Sequence, residues 1–147
     1  MSVIIRELDY NDCKNEYCQL LSELSVIDSD SITREDFIEQ LVLIKSNPLH
    51  KIYVAILDNK LVGSITLLIE PKFIHNISKV GHIEDVVVSR SVRGKGIGTL
   101  LVNKAIDVAK EYGCYKVILD CCDNCMSFYC KHEFIRKNNQ MARYFID

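Results

Sequence analysis

The sequence predicts an α/β (α+β) fold: a mixed central sheet flanked by helices, with one β-turn-α unit near its middle. Three observations predict it. Short β-branched runs bounded by turn residues recur along the chain. Stretches with apolar residues at helical spacing lie between them. A glycine-rich turn, Arg93-Gly94-Lys95-Gly96-Ile97-Gly98-Thr99, joins a Val-rich run to one of these helical stretches. The predicted order is β-α-α-β-β-β-α-β-α-β. The chain has 147 residues, and residues 1–147 are expected to form one domain.

Residues 3–8 alternate and are rich in Ile and Val, so they read as a strand. Asn11 or Asp12 can cap a first helix, whose stripe is Cys13, Tyr17, Leu20, Leu21 and Leu24. Thr33 can cap a second helix, with Glu35 and Asp36 in a first turn where the helix dipole favours carboxylates. Phe37, Ile38, Leu41, Val42 and Ile44 form its buried face, and Asn47-Pro48 stops it. Strands over 52–57 and 61–70 flank Asp58-Asn59-Lys60, a hairpin signal. A loop over 71–79 carries Lys72, Phe73, Ile74 and His75. The next strand, 81–89, holds Val86-Val87-Val88 and reads as buried on both faces. After the glycine turn a helix runs over 98–112, with Leu100, Leu101, Ala105, Val108 and Ala109 inward. Gly113 stands where a left-handed residue ends a helix. Residues 115–121 read as a strand and 124–131 as a short helix. The tail from Phe134 is expected to hold one or two further strands.

Composition excludes several classes. The net charge is −2, without the basic excess of a nucleic-acid-coating protein. No apolar run approaches the roughly 20 residues that span a bilayer, so no membrane partner is expected. Charge enters the N-terminus before a signal-peptide core could form. Seven cysteines, an odd number with several adjacent, point to reduced thiols and a cytoplasmic location. Cys122-x-x-Cys125, with Cys130 and His132 nearby, is a partial and compressed version of a zinc pattern. Small apolar residues packing a helix is the expected role, and no metal is expected.

In the glycine turn, three glycines at alternate positions let a ligand approach the backbone, with amide N–H groups at a helix N-terminus. That arrangement binds phosphate or pyrophosphate; a merely tight strand-helix turn is the alternative. The spacing is neither the dinucleotide-binding nor the Walker pattern: Leu101 takes the third glycine's place in one, and Ser89 the first in the other.

The pattern Arg93-x-x-Gly96-x-Gly98 after a Val-rich strand resembles the acyl-coenzyme A signature of the GNAT superfamily of N-acetyltransferases. Glu84-Asp85-Val86-Val87-Val88, Lys72-Phe73-Ile74-His75, the string from Gly113 to Cys121 and Phe128-Tyr129 narrow the resemblance to its glucosamine 6-phosphate N-acetyltransferase family. The resemblance implies a GNAT fold and acetyl transfer from acetyl-CoA to the 2-amine of glucosamine 6-phosphate. It implies a homodimer with shared active sites. It also implies roles. Tyr129 would be the acid near the sulfur, with Asp85 and Asp120 completing the catalytic set. Ser25, the loop Lys72, Phe73, Ile74 and His75, and then Glu84, Asp85, Val86, Asp120 and Arg143 would bind the sugar phosphate. Val86, Val87, Val88, the turn Arg93, Gly94, Lys95, Gly96, Ile97, Gly98 and Thr99, together with Asn124 and Tyr129, would hold the coenzyme.

The sequence departs from the family's pattern at three places. Cys125 stands where the family has Asn four before the tyrosine, with Asn124 one earlier. Glu133 replaces a Gly before Phe134, which is costly if the backbone needs positive φ. Tyr144 stands three after Met141 where the family has Arg, and Arg143 is one step early. On a strand that step reverses the face, unless a bulge restores it. Two alternatives stand beside this reading: an acetyltransferase of the same fold for another small amine, and, supported by the altered Cys125, Glu133 and Tyr144, a coenzyme-binding protein with impaired catalysis.

Overall fold

The computed structural model describes residues 2–12 and 14–146; Cys13, from the predicted first stripe, lies outside the described residues. Five strands form one mixed sheet in the order β1-β2-β3-β4-β5. Strands β1 (Val3–Glu7), β2 (His50–Leu57), β3 (Lys60–Pro71) and β4 (Lys79–Val88) pair antiparallel, neighbour to neighbour, and β5 (Cys114–Ile118) runs parallel to β4. The β2–β3 hairpin turns through Asp58 and Asn59, both at positive φ. Asp and Asn tolerate that conformation, and it matches the twist of the flanking strands.

Helices cover both faces. Helix α4 (Ile97–Glu111) presents Ile97, Leu101, Val102, Ala105, Val108 and Ala109 to the face of β2 that carries Tyr53, Ala55 and Leu57. Helices α1 (Lys14–Leu21) and α2 (Arg34–Lys45) cover the opposite face, against Ile52, Val54 and Leu61. Strand alternation thus feeds two cores at once, which explains why β2 and β3 read as nearly continuous apolar runs. Thr33 does cap α2, in a reciprocal pairing with Asp36.

Two irregularities shape the centre of the sheet. Opposite β3, Ser64 pairs with Val87 and Thr66 with Glu84, so Asp85 and Val86 together face Ile65. This is a β-bulge, and Asp85 carries it at φ 50°. The β4–β5 ladder ends at His82 and Ile118. From Glu84 onward the β5-facing edge of β4 is open.

Several expectations need correction. Helix α1 ends at Leu21, and Leu24 beyond it is exposed. Strand β5 ends at Ile118 rather than 121. The short helix opens as a 3-10 turn (Asp123–Cys125) before α5 (Met126–Cys130). The loop after β3 holds a one-turn segment, α3 (Ile74–Ile77), with His75, Asn76 and Ile77 at positive φ. The tail from Phe134 to Ile146 forms no strand among the described residues. A strand exists only through a neighbour's backbone, and within one chain the tail meets none. No helix among the described residues is long and apolar enough to cross a membrane.

Candidate active site

The bulge fixes what β4 presents. Val87 stays buried, Val86 and Val88 are half-buried, and Glu84 and Asp85 are exposed at the open end of the sheet. The unpaired β4 edge leaves backbone N–H and C=O groups along this stretch for an extended ligand to complete, as an added strand would. The Arg93 side chain is tied to this edge: its Nε donates to the Val88 carbonyl, 3.0 Å away.

The glycine turn lies beside that edge. Gly94 and Gly96 sit at φ 80° and 79°, and a Cβ on either would meet nothing within 4 Å. The space above them is open, and the need for glycine is conformational. Gly96 occupies the N-cap of α4 and offers no side chain to its first amides. Those N–H groups and the positive end of a 15-residue helix therefore face outward, as an anion site requires. Ile97 is itself in the core, so only its backbone is available to a ligand. Gly98 serves packing: a Cβ there would stand 3.2 Å from Phe128 Cζ. That close approach brings α5 against the start of α4, and Thr99 Oγ1 lies 3.4 Å from His132 Nε2 across the same seam.

Tyr129 is thereby placed near the cradle. Its ring packs edge-on to Phe128 and Phe134 and is 9% exposed. Burial first, and the nearby thiols of Cys125, Cys121 and Cys122 second, push its pKa up to about 12. At neutral pH the phenol is therefore protonated and able to donate a hydrogen bond. The turn that ends α5 folds back on Tyr129, whose carbonyl accepts from the N–H groups of His132 and Phe134. Glu133 closes this turn at φ 65°, so the positive φ that the sequence flagged is adopted without glycine.

A cleft of about 890 Å³ opens between β4, β5, α5 and the tail. Glu84, Asp120 and Tyr129 line it, together with His82, Tyr115 and Gln140. Partial desolvation by the cleft walls, and then repulsion from Asp85 and Asp120, raise the Glu84 pKa. Gln140 Nε2 donates to Asp120 at 2.9 Å. Lys72 and His75 stand outside the lining but connect to it. Glu70 binds both Lys72 Nζ, at 3.1 Å, and His82 Nε2, at 2.9 Å. The His75 ring stacks on Tyr115 at 4.0 Å. Ser25, Phe73 and Ile74 are exposed away from the lining. Asn124, on the 3-10 turn, is exposed too. Arg143 lies on the exposed tail with its guanidinium over Phe145. Among the described residues no group of three or more His, Cys, Asp or Glu is placed to hold a metal ion.

Three residues of this region escaped the sequence reading. His82 could have been found, since it lies two before Glu84 and shares its face of β4. Glu70 and Gln140 carried no local signal; only the fold brings them to His82 and Asp120.

Known proteins bear on this site. Residues 14–134 match the model of the acetyltransferase (GNAT) family. A rice (Oryza sativa subsp. japonica) protein, a probable glucosamine 6-phosphate N-acetyltransferase, is 36% identical over 98% of this chain and 89% of its own. Glucosamine 6-phosphate N-acetyltransferase 1 of Dictyostelium discoideum is 36% identical over 97% of this chain and 90% of its own. The crystal structure of glucosamine-6-phosphate N-acetyltransferase from Arabidopsis thaliana superposes with a TM-score of 0.94 at 38% identity, covering 99% of this chain and all of that one.

Proposed function

The chain belongs to the acetyltransferase (GNAT) family, and from that premise we propose that it transfers the acetyl group of acetyl-CoA to the 2-amine of glucosamine 6-phosphate. The products are N-acetylglucosamine 6-phosphate and CoA, on the route to UDP-N-acetylglucosamine. One observation carries the proposal from geometry. The open β4 edge at Val86–Val88, the uncapped start of α4 and the acidic cleft with Tyr129 adjoin one another. The full-length likeness to enzymes named for this reaction supports the same substrate.

Each part then has work suited to it. The backbone of Val86–Val88 holds the pantetheine arm as an extra strand. The amides of Arg93–Thr99 receive the pyrophosphate. Glu84, Asp85 and Asp120 surround the amino sugar, and Lys72 and His75 meet its phosphate and hydroxyls. An amine among electron-withdrawing oxygens titrates near the α-amino value of about 8, not the lysine value of about 10.4. Roughly a tenth is therefore already neutral at pH 7, and positioning replaces a strong base. As the thioester breaks, negative charge develops on the coenzyme sulfur. The neutral Tyr129 hydroxyl donates to it there.

The same proposal includes a homodimer. Phe73 is 91% exposed, Met141 of the tail is 94% exposed, and Ile77, Tyr144, Phe145 and Ile146 are nearly as open. Apolar surface on this scale is what an interface covers. A second copy seated there would bring tail residues, Arg143 among them, toward a neighbouring cleft. The adjacent unbridged thiols suit a reducing, cytoplasm-like compartment.

The test is a thiol-release assay with purified protein, acetyl-CoA and a panel of amines, followed by mass spectrometry of the product. Glucosamine 6-phosphate acetylated on nitrogen is the expected result. Turnover on a different amine with none on this sugar, or tight coenzyme binding without turnover, would refute the assignment.

A further inference from the structure

Four exposed cysteines cluster around the 3-10 turn that leads into α5: Cys121, Cys122, Cys125 and Cys130. Two of them touch. Cys122 Sγ and Cys125 Sγ are 3.2 Å apart. The turn brings them together, since the Cys125 N–H donates to the Cys122 carbonyl at 3.0 Å. The spacing is C-x-x-C, and the free sulfurs need to close by little more than an ångström to bond. The acetyl-transfer chemistry uses neither thiol. Backbone N–H groups of Cys125 and Asn124 also face the Cys122 sulfur. With the Cys125 thiol as the main cause, they hold the Cys122 pKa below its usual value and the Cys125 pKa above. A polarised, accessible thiol next to a resolving partner is the arrangement of a reactive pair.

We propose that Cys122 and Cys125 form a reversible dithiol–disulfide pair whose oxidation slows the acetyltransferase. The slowing rests on the function proposed above; the pair itself does not. The oxidant is a small-molecule disulfide such as oxidised glutathione. The Cys122 thiolate attacks one of its sulfurs, and one glutathione thiolate leaves. Cys125, having lost its proton to water, then attacks Cys122 Sγ, and the second glutathione thiolate leaves. Two protein thiols are oxidised by two electrons, the glutathione disulfide is reduced to two thiols, and both protons end in solvent or on those thiols.

The link to activity is positional. Cys122 lies two residues after Asp120, and Cys125 immediately precedes α5, which carries Tyr129. Shortening the sulfur–sulfur contact from 3.2 Å to a bond of about 2.05 Å draws the start of α5 toward the turn. A shift near 1 Å in a group that must meet a reacting atom can cost about 10²-fold in rate.

The experiment equilibrates the purified protein with graded ratios of reduced to oxidised glutathione. Free thiols are then alkylated, and the tryptic peptide over 117–131, which contains all four cysteines of the cluster, is read by mass spectrometry. The expected result is loss of label at Cys122 and Cys125 together, with kcat falling about 10-fold or more and recovering in dithiothreitol. Cys122→Ser should show no intramolecular bridge and should keep the activity of the reduced protein through the oxidising range. Full labelling at every ratio, a bridge that persists in Cys122→Ser, or a bridge that leaves kcat unchanged would each overturn the proposal. If the reduced protein acetylates no amine, the acetyltransferase assignment fails, while the labelling result still decides the fate of the pair.

Discussion

Tyr129 and Glu84 line the same cleft, and each holds its proton more tightly there than it would in water. Burial pushes the Tyr129 pKa up to about 12, so its hydroxyl keeps its proton well above neutral pH. Tyr129→Phe keeps the ring in its place between Phe128 and Phe134 and deletes only the hydroxyl. We expect kcat to fall roughly 10²-fold, with acetyl-CoA affinity unchanged, in steady-state kinetics paired with a coenzyme titration. Glu84 is shifted in the same direction, upward, by partial desolvation and then by its acidic neighbours Asp85 and Asp120. A carboxyl with a raised folded pKa binds its proton more tightly when folded than when unfolded. The stability it costs is absent below its unfolded pKa near 4.5 and develops as pH rises through the folded value. Glu84→Gln should therefore raise Tm at pH 7 and leave it unchanged or lower at pH 4, while sugar acetylation collapses. A lower Tm at pH 7 would show that the carboxylate cluster is not under repulsion.

At the scale of elements, what the sequence made legible follows the range of the interaction that decides each feature. Thr33 and Asp36 cap α2 through a contact three residues long, and the turn at Asp58-Asn59 is as local. Both are read from the chain alone. The glycine turn is legible for the same reason, because Gly94 and Gly96 answer to their own φ. The bulge at Asp85 is not local. It arises from the register of β3 against β4, and nothing in Glu84-Asp85-Val86 announces it. The ends of β4–β5 pairing, and hence the open edge, are equally a property of two strands. The tail exposes the limit most clearly: the sequence reads as strands from Phe134 onward, but the described residues there form none, since a strand needs a neighbour's backbone to pair with. The element that can be tested by itself is the cradle. Gly96→Val places a branched side chain at positive φ, over the amides that would meet pyrophosphate. We expect acetyl-CoA binding to be lost by calorimetry, with the circular dichroism spectrum retained. Undiminished affinity in a folded variant would move the coenzyme elsewhere.

For the molecule as a whole, the sheet holds two cores apart and opens at one end, where Glu84, Asp120 and Tyr129 line one cleft. Positioning is the common theme: Gly98 admits Phe128, Phe128 seats α5, and α5 delivers Tyr129 to the mouth of the β4–β5 opening. The phosphate is the part of the substrate least served within one chain, because Lys72 is already paired with Glu70 and Arg143 rests on Phe145. The proposed dimer would resolve this by bringing the tail to a second cleft. Sedimentation velocity should give twice the mass of the 16.9 kDa chain. Arg143→Ala should raise KM for the phosphorylated sugar about 10- to 100-fold and spare glucosamine. A monomer of full activity would contradict the shared site.

In the proposed reaction the cleft must both acetylate an amino sugar and recognise it by its phosphate. The most direct measurement compares kcat/KM for glucosamine 6-phosphate with that for unphosphorylated glucosamine, by thiol release under saturating acetyl-CoA. One charge-assisted contact to phosphate is worth about 1.5–3 kcal/mol, so the phosphorylated sugar should be favoured at least about tenfold. Equal values for the two sugars would mean that the cleft does not recognise the phosphate.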